Sequence, residues 1–132
     1  MKFLSSEWIK AAGDDLLAVR ELMNNPELTN LAAFHAQQCV EKSFKSVLEE
    51  KDSENPRIHG LIRLYELAGV YFDIKADLDM LKTLDQLYID SRYPGITGLL
   101  PEGKPTTDEA LSYYKFAEKV YSSIKDYLMS LE

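Results

Sequence analysis

The stretch from Thr29 to Glu50 constrains the fold of this chain more than any other. Ala33, Ala36, Val40, Phe44 and Val47 recur at steps of three and four, so on a helix they form one apolar stripe that can face a core. His35, Gln38, Lys42 and Lys45 recur with the same steps on another side. That second stripe carries an imidazole, an amide and two ammonium groups, whereas a solvated helix face is ordinarily a mixture of Glu and Lys. With Gln37 beside Gln38 and the bulky Phe34 next to His35, it reads as a half-buried polar surface. Such surfaces are where binding tends to sit. The same residues would also serve as a polar helix face at a subunit contact, and the pattern leaves both readings open.

The rest of the chain repeats the helical period. A first helix is expected from about Ser6 to Met23, with Trp8, Ala12, Leu16, Val19 and Met23 inward, ended by Asn24-Asn25-Pro26. A short third helix begins near His59, packs Leu61, Leu64, Tyr65 and Ala68, and stops at Gly69. A fourth spans about Lys75 to Arg92 with Leu78, Leu81, Leu84 and Tyr88 inward. The glycines and prolines from Pro94 to Pro105 then mark an irregular loop, long for a compact bundle. The last helix has a defined start, because Thr106-Thr107-Asp108-Glu109 fits a capping box. Ala110, Tyr113, Tyr114, Ala117, Val120, Tyr121, Ile124 and Leu128 give it a long apolar stripe. No alternating strand pattern of useful length occurs. The expected architecture is all-α: an antiparallel up-and-down bundle of four to five helices in one domain, residues 1–132. The wide stripes leave apolar surface to spare, which favours a symmetric dimer.

With 132 residues the chain can bury its own core. No apolar run approaches the roughly 20 residues needed to span a bilayer. The first residues lack a signal-peptide core, and Cys39 is the single cysteine, so a cytoplasmic location is expected. Cys39 lies in an Ala-Val flank and reads as a small packed thiol. A formal net charge of -7 excludes non-specific coating of nucleic acid. Any anion site must be a local basic cluster drawn from Lys42, Lys45, Arg57, Arg63 and Arg92.

Several familiar devices are missing. No phosphate-cradling glycine loop follows a strand, and no Cys or His pair has zinc spacing. Neither His35 nor His59 has a Glu three residues earlier, as a di-iron bundle would require. No metal or cofactor is expected. His59 suits a helix start, where it would bond free backbone amides. His35 beside Gln38 suits either a structural bridge or a contact to a base. Tyr88 and Arg92 share a helix face. Arg92 could pair with Asp85 or Asp90 and favour the helix dipole, or it could grip a phosphate bidentately with Tyr93 stacked on a base.

Three segments, in order, resemble the HEPN domain of higher eukaryotes and prokaryotes. They are Phe34-His35-Ala36-Gln37-Gln38-Cys39-Val40-Glu41-Lys42 with Lys45, then His59-Gly60-Leu61 with Leu64, then Leu87-Tyr88-Ile89-Asp90-Ser91-Arg92-Tyr93-Pro94. The closing helix with Glu109-Ala110, Ala117 and Ile124 also fits. The resemblance implies a dimerising helical bundle with a polar groove near the dimer interface. It implies proposed nucleotide binding and, in many members, a minimal nucleotidyltransferase partner in toxin-antitoxin or defence systems. Many relatives are metal-independent ribonucleases in which an Arg is followed, several residues on, by a His. Here no His follows Arg92. That gap removes the expected proton acceptor, unless His35 substitutes from another helix. Three functions follow as expectations: a nucleotide- or RNA-binding module using His35, Gln38, Lys42, Lys45, Tyr88, Arg92 and Tyr93; a ribonuclease with Arg92 catalytic; or a helical scaffold.

Overall fold

A computed structural model describes residues 1–57, 60–92 and 103–132 of the chain. The expected helix start at His59, Tyr93 and most of the glycine- and proline-rich loop lie outside these residues. So does the side chain of Arg92. Five helices are described: α1 (Phe3–Leu22), α2 (Thr29–Glu50), α3 (Leu61–Gly69), α4 (Leu78–Arg92) and α5 (Thr107–Ser130). No strand occurs among the described residues.

Helix α2 is the axis of the bundle and packs against all four others. Its apolar stripe, Ala33, Ala36, Val40, Phe44 and Val47, is fully buried. Ala32, Cys39 and Leu48 widen that buried face. Phe44 meets Tyr65 of α3 at a ring separation of 6.0 Å. Small residues at Ala12, Ala32, Ala33 and Ala36 let α1 and α2 lie close together. Burial, reinforced by the charge of Asp15, pushes the Cys39 thiol up to about 12, so it is a packing group and not a nucleophile at neutral pH.

Contacts along the helices fix their directions. Lys2 meets Glu50, and Asp15 meets Lys42, so α1 and α2 are antiparallel. Gln37 reaches Asp85 while Phe34 stacks on Tyr88, so α4 also opposes α2. The Thr29 hydroxyl donates to the Pro105 carbonyl at 2.6 Å, seating the start of α5 beside the start of α2. Four helices therefore alternate in the expected up-and-down manner. Helix α3 is the exception and runs the same way as α2. The chain after α2 climbs back alongside it, with the Asn55 amide donating to the Lys45 carbonyl at 3.5 Å, before α3 descends.

The helix ends have local causes. The capping box before α5 is formed as expected: Glu109 N donates to Thr106 Oγ1 at 3.0 Å, and Thr106 N donates to Glu109 Oε1 at 2.9 Å. Helix α4 starts later than the expected Lys75, because the Asp77 carboxylate accepts from Asp79 N and Met80 N and sets the first turn there. Leu78, expected inward, then falls at the first position of α4 and is 48% exposed. The buried face of α1 is also rotated from the expected one. Ser5, Ile9, Ala12, Asp15 and Val19 are buried, while Leu16 and Met23 flank the core and Trp8 is half-buried. A carboxylate thus sits on a face expected to be apolar, and its partners are what make that tolerable.

Candidate functional site

The polar stripe of α2 is half-buried because α1 lies over it. Asp15, 8% exposed, reaches from α1 between two of its residues. The His35 Nδ1 lies 2.8 Å from Asp15 Oδ1. The Lys42 ammonium donates to Asp15 Oδ2, also at 2.8 Å. One carboxylate therefore fixes two side chains that stand two helical turns apart on α2. Facing a carboxylate oxygen, Nδ1 is the nitrogen suited to donate, so in a neutral imidazole Nε2 would be the one left to accept. The side chains of His35 and Lys42 keep 31% and 25% of their surface exposed. Lys42 has three N–H donors and Asp15 Oδ2 takes one, so the ammonium retains donors for a further acceptor.

A second polar chain runs beside the first. Gln38 Nε2 donates to Gln37 Oε1 at 2.8 Å, and Gln37 Nε2 donates to Asp85 Oδ1 at 3.3 Å. The other oxygen of Asp85 accepts from Leu61 N at 2.8 Å and so caps α3 from α4. Gly60, at the N-terminal boundary of α3, offers no side chain for that task. Asp90 accepts from Gln86 at 2.9 Å.

Aromatic rings close the cluster on the α4 side. Phe34 stacks on Tyr88 with centroids 5.5 Å apart and planes 14° from parallel. His35 meets Phe34 edge-on at 5.1 Å. Tyr88 is thereby joined to His35 through Phe34, and Arg92 follows Tyr88 by one helical turn on α4.

His35, Gln38, Lys42 and Tyr88 are brought to one surface. Lys45 is placed elsewhere. It is 8% exposed, lies 3.6 Å from the Glu41 carboxylate and stands over the Trp8 ring at 5.0 Å. The reason is the antiparallel register: past Lys42, the next turn of α2 faces Trp8 of α1, not an acid. Sequence reasoning missed Asp15. A usable signal existed, since Asp15 lies three residues after Ala12 and four before Val19, on the core lattice of α1. A carboxylate in such a position requires donors. Asp85 carried no equivalent signal.

Among the described residues, no group of three or more His, Cys, Asp or Glu could hold a metal ion. No helix among them is long and apolar enough to cross a membrane. The cluster offers fixed N–H donors, an oriented imidazole and a stacked aromatic pair.

Comparison with known proteins agrees with the fold. The profile of the HEPN domain matches residues 5–127. A protein of Methanocaldococcus jannaschii named "Putative toxin MJ1304" is 28% identical over 139 aligned positions, covering 92% of this chain and 86% of that one. The crystal structure of TT1696 from Thermus thermophilus superposes with a TM-score of 0.69. The two share 21% identity, over 92% of this chain and 96% of that one. At that identity the likeness speaks for the fold alone.

Proposed function

The chain belongs to the HEPN domain family, and on that premise we propose that it is a nucleotide- or RNA-binding module whose anion and base contacts are made at the α1–α2–α4 surface. The observation that carries this reading is the Asp15-clamped pair of His35 and Lys42 beside the Phe34–Tyr88 stack. The ammonium of Lys42 and the amide of Gln38 suit phosphate oxygens, and the aromatic pair suits a base. Arg92, one turn past Tyr88, would supply a bidentate phosphate contact. The module is cytoplasmic and homodimeric in this reading. Exposed Leu31, about one helical turn before Phe34, and exposed Ile89, next to Tyr88 in the chain, support a contact between copies there. A minimal nucleotidyltransferase is the proposed protein partner, in a toxin-antitoxin or defence setting consistent with the name of the Methanocaldococcus relative.

Thermal-shift titration with ATP, other nucleotides and short RNA tests the reading, with Lys42→Ala and Arg92→Ala run in parallel. Ligand binding to the native state raises Tm by mass action. A charge-assisted hydrogen bond contributes roughly 1.5–3 kcal/mol. Lys42→Ala is therefore expected to weaken affinity by about tenfold or more. A ligand-induced shift of equal size in both variants and the wild type would remove the anion site from this surface.

A second reading, a ribonuclease, is favoured by the Asp15–His35 bond, which orients the imidazole as an acid–base group needs. His35 Nε2 would accept the proton of a ribose 2′-hydroxyl, whose oxygen attacks the adjacent phosphorus. The P–O5′ bond breaks, the leaving oxygen takes a proton from water, and a 2′,3′-cyclic phosphate remains. Cleavage of single-stranded RNA that is lost in His35→Ala, with that product end, supports it. Wild-type protein that leaves RNA intact sinks it.

A further inference from the structure

Away from the His35 cluster, the N-terminal half of α1 and the C-terminal half of α2 enclose an open cavity of about 440 Å³, lined by Leu4, Glu7, Trp8 and Glu49. Trp8 is the single tryptophan of the chain. Lys45 stands 5.0 Å over its ring, but that ammonium is buried and lies against Glu41. Glu49 is held by the Asn55 amide at 3.1 Å, so one wall is fixed in place. Glu7 makes no ion pair among the described residues. Leu4 is 55% exposed and Phe3, beside it, 74%. The cavity thus combines an indole wall, two carboxylates and an apolar lip, on a chain of net charge -7.

We infer that this cavity is a docking site for an arginine side chain of a basic partner segment that also carries an apolar residue next to that arginine. A guanidinium is flat and weakly hydrated, so it can lie on an aromatic surface while its edge bonds carboxylates in a fork. Both groups line this cavity. An ammonium is compact and strongly hydrated and makes the stack less well. Leu4 is placed to cover the neighbouring apolar residue, and burial of the aromatic anchor is what commonly carries such interfaces. Charge complementarity selects the occupant: an acidic segment would meet Glu7 and Glu49 with like charge. The inference stands independently of the nucleotide reading, because none of the cavity-lining residues belongs to the His35 cluster.

Because Trp8 is unique, its indole N–H gives one NMR resonance that reports this cavity alone. The peptide acetyl-Leu-Arg-Leu-Arg-amide is titrated into the intact protein, with its lysine and glutamate counterparts as controls. A saturable shift of the Trp8 resonance is expected with the arginine peptide. The Glu7→Gln/Glu49→Gln variant, checked for an unchanged melting curve, is expected to bind at least tenfold more weakly. The lysine peptide should bind several-fold more weakly and the glutamate peptide not at all. The inference is overturned if the arginine peptide leaves the resonance unmoved, if lysine or glutamate peptides match it, or if the double variant binds like the wild type.

Discussion

Asp15→Ala is expected to lower the stability of the chain by about 2 kcal/mol. Asp15 is a nearly buried carboxylate whose two oxygens are engaged by His35 and Lys42. Removing one partner of a fully buried ion pair typically costs roughly 3–5 kcal/mol, mostly because the other charge is left without compensation. Lys42 and His35 retain part of their exposure and can recover some hydration, which brings the cost below that range, to about 2 kcal/mol. For a domain of this length each kcal/mol moves Tm by roughly 3–5 °C, so a fall of roughly 6–10 °C should be seen by calorimetry. Asp15→Asn keeps one acceptor oxygen and should lose less. Adding Lys42→Met to Asp15→Ala should restore much of the loss, since the stranded ammonium is then gone. An Asp15→Ala protein that melts within a degree of wild type would contradict the clamp, and so would a double variant no better than the single one.

Phe44→Ala should cost more, about 3–5 kcal/mol by urea unfolding. The ring is fully buried at the centre of α2 and packs on Tyr65. Its loss removes the transfer energy of a large apolar group and leaves a cavity among helices that cannot all close in at once. Marginal stability of roughly 5–15 kcal/mol makes this a large share of the total. The same truncation at Phe3, which is 74% exposed, should stay within about 0.5 kcal/mol. A cost below about 1 kcal/mol at Phe44 would mean that α2 is not the axis around which the core is built.

Much of this could be read from the chain. The α2 stripe, the capping box at Thr106 and Glu109, the stop before Pro26 and the packed thiol of Cys39 all depend on residues within about four positions of one another, or on a period that one helix imposes by itself. The resemblance carried by Phe34 through Lys42 pointed to the correct family for the same reason, since it is a contiguous pattern within one helix.

What the sequence could not supply were the partners. Asp15 finds His35 and Lys42 at separations of 20 and 27 residues. Asp85 finds Leu61 and Gln37 at 24 and 48. Those pairings depend on how far each helix is rotated about its axis and on its depth against α2, and both are settled by packing of the whole core. Lys42 and Lys45 lie on the same stripe of α2, yet across the helix pair one meets a carboxylate and the other an indole, because antiparallel α1 presents Asp15 at one level and Trp8 at another. The order of residues determined which helices form and, on α2 and α5, which faces are apolar. The tertiary structure alone decided which polar groups meet, because a side chain's partner is a property of two helices and periodicity is a property of one.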